Sequence, residues 1–486
     1  MISGFALSPA ALDDLARGGP VPGDPAAMER GKNILLLHAV VARSRAVGHP
    51  GAPATADAYR LLARIQQTAP SAAAEALGYP LLGTWASTTV AALDRGEDAT
   101  PQRLAALAAT AALMAGLPVT APFTTSTEMA ELPGLGRLLL PGVPADEPVT
   151  LIIAAPGPPR AATGSPVSPT PHHQAGVAAG GPARPAPAHQ PSAIGGPVDP
   201  APAHQPSAIG GPVGPASAYL EVAGERFPLP HDMRATVAVG GARWEGVRDV
   251  GFLLDDVDPW RFPGPIPPLG RLTDVEAEDW GAVLDQARGV LKARHPGVAR
   301  ALEGTTKVVV PIAPPEAGTR SATARTAYGS VAMSWPHDAR SAALTLAHEV
   351  QHAKLTMLMD LFDLVRPGAR GHYYAPWRDD PRPAAALLQG AYAHMGVAGF
   401  WRAERHVAAD PEVAHSEFAR WRDAAHEACL TLLTSGTVTA LGRRFVEGML
   451  ETLAVWRAER VPAEASALAR RAAARHRLQW AARHGT

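Results

Sequence analysis

Apolar positions in the first third of the chain recur at spacings of three and four, the period of a helix with one buried face. Residues 33–47, 55–67 and 100–115 carry this pattern, punctuated by Pro50-Gly51 and Gly116-Leu117-Pro118. A short apolar run at 149–154 is bounded by proline and reads as a strand. Between 156 and 217 the periodicity disappears, and PAPAHQPSAIGGPV at 185–198 recurs at 200–213. This stretch lacks the apolar content that offsets ordering entropy, so it is expected to be a flexible insertion. Repeat expansion explains its His172, His173, His189 and His204 more simply than metal capture does.

Strand-like runs return at 219–222, 235–239, 307–312 and 328–335, and a helix is expected over 275–294. From Asp338 onward the pattern is almost wholly helical, over 338–365, 383–405, 412–433, 437–457 and 462–484, with breaks at Pro367, Pro376 and Pro462. The expected fold class is α+β and predominantly α-helical. Its parts would be a helical N-terminal region (1–155), the insertion (156–217), and a catalytic domain (218–486) in which a small β region precedes a helical C-terminal region.

Composition narrows the function. The 486 residues suffice for two or three domains, and 44 basic against 45 acidic residues leave a formal net charge of −1. Nucleic acid and anionic membranes both select a basic surplus, so neither is an expected partner. One cysteine, Cys429, excludes disulfide scaffolds, cysteine-ligated structural zinc and thiolate-held iron–sulfur clusters within a single chain. The opening MISGFALSPAALDDLARG lacks a basic segment followed by an apolar core, and no 18-residue apolar run occurs, which predicts a soluble cytoplasmic protein.

One string carries chemistry: Leu346-Ala347-His348-Glu349-Val350-Gln351-His352, inside the long helix that opens near Ser341. Histidines at i and i+4 share a helix face and can reach one divalent ion, while Glu349 is placed to act on a metal-bound ligand. The preceding run YGSVAMSW is the expected edge strand beside such a site. Two histidines leave a metal undersaturated, so a third ligand is required. Asp360, Asp363, His372, His394 and Glu404 are the downstream candidates. Asp360 lies roughly 12 Å from His352 at about 1.5 Å rise per residue, too far to share an ion. His394 is preferred because Gly390, Ala391, Ala393 and Gly396 around it allow close helix approach; His372, in a Pro- and Gly-flanked loop, is the alternative. The loop 371–383 also offers Arg378 and Arg382 as bidentate carboxylate clamps, unless they serve only as scaffolding paired with Asp379 and Asp380.

Four blocks in order, SATARTAYGSVAMSWPHD (321–338), LAHEVQHAKLTMLMDLFDLV (346–365), YYAPWRDDPRPAAALLQGAYAHMGVAGFWR (373–402) and TSGTVTALGRRFVEGM (434–449), resemble the HExxH-motif proteins of ribosomal peptide modification. That family comprises 2-oxoglutarate-dependent peptide β-hydroxylases, and its relatives also form the C-terminal half of radical-SAM peptide maturases. The resemblance covers roughly 219–460 and reaches the N-terminal helices only loosely. It implies iron(II) at His348 and His352 with His394 as third ligand, and 2-oxoglutarate at the metal. Arg378, Arg382 and Tyr374 would then bind the cosubstrate or the substrate carboxylate. It further implies dioxygen-dependent hydroxylation of a β-carbon, foremost that of an Asp, in a precursor peptide. Glu349 would orient a ligand or water rather than act as a hydrolytic base. A lone cysteine cannot hold a radical-SAM cluster, so this chain departs from the fusions and reads as a stand-alone enzyme.

Two rival readings use the same histidines. A zinc metallopeptidase would have Glu349 activate zinc-bound water, although Leu358 interrupts the extended HExxHxxGxxH string. A peptide-binding module with a vestigial metal site is the other, with the N-terminal helices as the docking surface.

Overall fold

The computed structural model describes residues 7–154, 218–264, 266–316 and 318–485, so the expected insertion at 156–217 lies outside the described residues. The fold is α+β and predominantly helical, as the pattern predicts. Six helices come first: α1 (Pro9–Ala16), α2 (Pro25–Ala46), α3 (Ala52–Thr68), α4 (Pro70–Leu77), α5 (Leu81–Arg95) and α6 (Arg103–Ala115). The strands β1 (Val119–Thr124), β2 (Met129–Leu132), β3 (Gly136–Leu139) and β4 (Pro148–Ile153) follow. Beyond the undescribed segment come β5 (Ala218–Val222), β6 (Glu225–Pro228), β7 (Thr236–Val239), β8 (Ala242–Gly246), β9 (Arg248–Asp249) and β10 (Leu253–Leu254).

These strands form two antiparallel sheets, in the orders β1-β4-β5-β6 and β2-β3-β8-β7. Both sheets mix strands from before and after 155–217, with Ile153 opposite Ala218 in the register. The expected boundary between an N-terminal and a catalytic region therefore falls between paired strands. Trp85, Leu107, Leu132, Leu151 and Trp244 belong to the core that these sheets share with α2–α6.

The rest of the chain builds the frame of the site. Helices α7 (Asp274–Arg294) and α8 (Pro296–Thr305) precede β11 (Val308–Pro311), β12 (Ser321–Ala322) and β13 (Ser330–Met333). These three strands complete a five-stranded sheet ordered β12-β13-β11-β10-β9, parallel through β10, β11 and β13. The expected edge strand, 328–335, instead sits second in the sheet; β12 takes the edge. Two residues, Ser321 and Ala322, are too short a run to show alternation, which is why the edge escapes sequence reading.

The long helix α9 (Ala339–Leu361) starts on a reciprocal cap. The Asp338 carboxylate accepts from Ser341 N–H at 2.7 Å, and the Ser341 hydroxyl accepts from Asp338 N–H at 2.9 Å. Its Leu346 and Val350 pack with Trp280, Leu284 and Val331, while Leu355 and Leu358 pack with Leu388, Tyr392 and Phe445. The helix ends at Leu361, four residues sooner than expected, because Leu364 and Val365 turn to meet the start of a later helix. After it come the hairpin β14 (His372–Tyr373) and β15 (Arg382–Pro383), then α10 (Ala384–Glu404), α11 (Pro411–Thr434), α12 (Ala440–Ala458) and α13 (Ala463–His484). The meeting at α12 is close: a Cβ on Gly442 would lie 1.9 Å from the Leu364 carbonyl oxygen.

A buried polar network ties the N-terminal helices to the central sheet. Tyr79 donates to Asp255 at 2.5 Å and approaches Asp258 at 3.0 Å, and Arg103 pairs with Asp258 at 2.9 Å. Burial, reinforced by the Asp258 charge, pushes the Asp255 carboxyl up to about 6. The folded state thus holds a proton that the unfolded chain releases from about pH 4 upward, so this group's contribution to stability falls as pH rises from about 4 to 6. Asp255→Asn keeps an acceptor for the Val257 and Asp258 amides, which bond Oδ1 at 3.1 and 2.9 Å. We expect the variant to melt higher than wild type at pH 7.5, by at most about 3 kcal/mol of stability, and to match it near pH 4.5. Thermal melts across that range check the result.

Candidate metal centre and cavity

The site is built on the facing sides of α9 and α10. Nε2 of His352 lies 3.1 Å from Nε2 of His348, one helical turn away. Nδ1 of His352 meets Gln389 Oε1 at 3.1 Å; with the amide oxygen accepting the Nδ1 proton, Nε2 presents its lone pair. The third ring, His394, stands with its centroid 5.2 Å from that of His348. Its Nδ1 donates to the Gly390 carbonyl at 2.8 Å, which again leaves Nε2 free of a proton. Burial and the neighbouring His352 ring pull the His348 pKa down to about 4, although 22% of its side-chain surface stays accessible where it lines a cavity. Burial, with His348 alongside, holds His394 well below the ordinary imidazole value. His348 and His394 are therefore held in the neutral, metal-binding form near neutral pH.

Aromatic packing fixes His394 further. Trp377, from the loop between β14 and β15, stacks on it at 4.3 Å and 15°, and Trp421 of α11 lies at 4.7 Å. Trp377 can approach only because residue 390 is glycine: a Cβ there would meet the indole at 2.5 Å. The small residues of α10 do admit close approach, by a loop tryptophan at Gly390 and by Gln351 of α9 at Gly396.

The three histidines line one cavity of about 520 Å³. Ser321 and Thr323, within and just beyond β12, form one wall, and Arg378, Arg382 and Trp377 belong to another. Glu349 is buried; Ser321 donates to its Oε1 at 2.6 Å, while Oε2 has no hydrogen-bond partner and Oε1 stands 3.9 Å from His348 Nε2. An orphaned carboxylate oxygen buried at a cavity wall calls for a cation or a bound water.

His348 and His352 have the spacing to share a divalent ion. Two imidazole nitrogens 3.1 Å apart can share an ion at bonds of about 2.1 Å with an angle of about 95°, nearer octahedral than tetrahedral coordination. Among the described residues no three His, Cys, Asp or Glu side chains form a finished ligand set; His394 shares the cavity with the pair without completing one.

The remaining candidates are spread elsewhere. Asp360 is held by Lys32 and Arg325, and Glu404 by Arg294 at 2.7 Å and His295 at 3.0 Å. His372 is exposed on β14 and pairs in register with Pro383; Asp363 lines a neighbouring cavity. Tyr374 is not a wall of the histidine cavity: its hydroxyl meets His476 Nδ1 at 2.9 Å and its ring packs against Trp480 of α13. Asp380 bridges Arg378 and Arg382 at 2.8 and 3.0 Å, so the scaffolding pairing exists alongside their place in the cavity wall.

Gln389 and Ser321 are the members that sequence reading missed. A signal for the first was present: Ala386, Gln389, Gly390 and His394 share one face of a helix otherwise rich in apolar residues. Gln389→Leu removes the acceptor on His352, and we expect metal affinity to fall roughly 10- to 100-fold, with Gln389→Glu retaining most of it; chelator competition provides the measurement.

Among the described residues no helix is long and apolar enough to cross a membrane. No known family matches this chain, and no curated protein matches it in sequence.

Proposed function

We propose that this protein is a cytoplasmic, iron(II)- and 2-oxoglutarate-dependent hydroxylase acting on a β-carbon, that of an Asp, in a ribosomally made precursor peptide. The supporting observation is that His348, His352 and His394 share one cavity with two arginines and a strand edge. Bound iron would supply activation of dioxygen, coupled to oxidation of 2-oxoglutarate to succinate and carbon dioxide, one oxygen atom going to the peptide. His348, His352 and His394 would hold the ion, with Gln389 and the Gly390 carbonyl fixing their tautomers. Arg378 and Arg382 provide a cationic wall with which a dicarboxylate can pair. The outer edge of β12 can take up an extended peptide backbone through its main-chain groups. Glu349, steadied by Ser321, can orient a water or ligand through its free oxygen.

That same free oxygen is the observation favouring a zinc peptidase, in which it would draw a proton from metal-bound water. Glu404, which could have been the acidic third ligand of such an enzyme, is committed to Arg294 and His295. The test is anaerobic purification, metal analysis, and incubation of the iron-loaded protein with 2-oxoglutarate, dioxygen and candidate precursor peptides. Succinate release with a product heavier by one oxygen supports hydroxylation. Peptide fragments formed without 2-oxoglutarate support the peptidase, and tight binding of unchanged peptide supports a recognition module.

A further inference from the structure

A second cavity, of about 380 Å³, adjoins the first and shares two of its walls, Thr356 and Gln389. The shared wall is thin: Gln389 Nε2 donates to Thr356 Oγ1 at 3.3 Å while its Oε1 meets His352. His348, His352, Thr356 and Met359 follow one another along α9 at spacings of four, four and three, so one helix face runs beneath both cavities. On α10, His394 lines the first cavity, Gln389 both, and Ala385 the second, which places the two helices antiparallel beneath a continuous trough.

The second cavity differs in chemistry from the first. Its lining includes Met359, Leu364 and Val365. Its arginines are already engaged, Arg325 with Asp360 and Arg366 with the Val438 carbonyl at 3.3 Å. Apart from the Asp363 carboxylate, what the cavity offers a visitor is therefore mainly apolar surface. The 520 and 380 Å³ of the two cavities together approach the upper end of ligand-site volumes, more than a 2-oxoglutarate-sized molecule fills. Met359 lies seven residues beyond His352 on α9, about 10 Å at a rise of about 1.5 Å per residue. An extended peptide covers that distance in about three residues at roughly 3.3 Å each.

We infer that the second cavity is a specificity pocket for one large apolar side chain of the substrate peptide, three residues from the residue positioned over His348 and His352. The inference rests on the peptide reading above and adds to it a sequence preference. Because Gln389 touches both spaces, occupancy of the pocket also steadies the side chain that orients His352.

The test uses short fluorescein-labelled peptides with a single Asp and either Phe or Ala three residues to its N- or C-terminal side. Their binding to the metal-free full-length protein is read by fluorescence anisotropy. In one of the two directions the Phe peptide is expected to bind roughly 10- to 100-fold more tightly than its Ala counterpart. Met359→Trp fills the pocket and should erase that advantage without weakening the Ala peptide; Val365→Trp, from another wall, serves the same end if the first variant misfolds. Equal binding of Phe and Ala peptides in both directions overturns the pocket, as does a Phe advantage that survives in a folded filled variant. Hydroxylation of peptides without any Phe preference removes the pocket and leaves the hydroxylase standing. Failure of every peptide to bind overturns the pocket together with the peptide reading.

Discussion

Replacing His348, His352 or His394 with alanine is expected to strip the protein of metal and lower turnover by roughly a thousandfold or more, since a bound ion supplies several kcal/mol of transition-state stabilisation. The basis is the 3.1 Å pair of Nε2 atoms and the third ring 5.2 Å away. His372→Ala is the control: it is exposed on the hairpin β14–β15, outside the cavity, and should keep its metal. Metal content of the purified variants, measured beside succinate formation, decides the matter. If His372→Ala loses metal and His394→Ala keeps it, the third ligand is reassigned and the part played by Trp377 and Trp421 must be rethought.

The second large effect concerns the cationic wall. Arg378→Ala combined with Arg382→Ala should raise the KM for 2-oxoglutarate by roughly 100-fold or more, as each charge-assisted hydrogen bond is worth about 1.5–3 kcal/mol. Metal content should not change, because neither arginine touches a histidine and both are tied to Asp380. Lysine at both positions should recover only part of the loss, because a point charge cannot reproduce the planar fork. Saturation curves at fixed peptide concentration provide the measurement. An unchanged KM would leave the arginines as loop scaffolding around Asp380.

What the sequence reveals of this fold depends on element length. The helices from Asp338 to His484 are long, 19 to 24 residues each, and their expected limits agree with the structure to within a few residues except at the end of α9. That exception is tertiary: nothing local to Phe362 announces that Leu364 must reach the start of α12. The strands β2 and β3 are four residues each, and β1 contains Pro122, so their pattern is lost in the helical reading of the N-terminal region. For the site, the i, i+4 histidines were legible because a helix alone brings them together. Placing His394 beside them needed two helices to pack, and the small residues around it gave the hint. Tyr374 illustrates the opposite case: the resemblance implies a place beside the cosubstrate, but the partners that hold it, His476 and Trp480, lie about a hundred residues on in α13.

The pairing of Ile153 with Ala218 bears on how this gene can change. The polypeptide leaves the sheet and re-enters it at the two sides of one rung, whatever length intervenes. Closing such an excursion costs entropy that grows only logarithmically, about 0.6 kcal/mol for each doubling. Tandem duplication there, of the kind preserved in the two PAPAHQPSAIGGPV units, lengthens the chain while leaving the Ile153–Ala218 pairing in place. Natural variants should differ in copy number at this point far more readily than anywhere between Asp338 and Glu404.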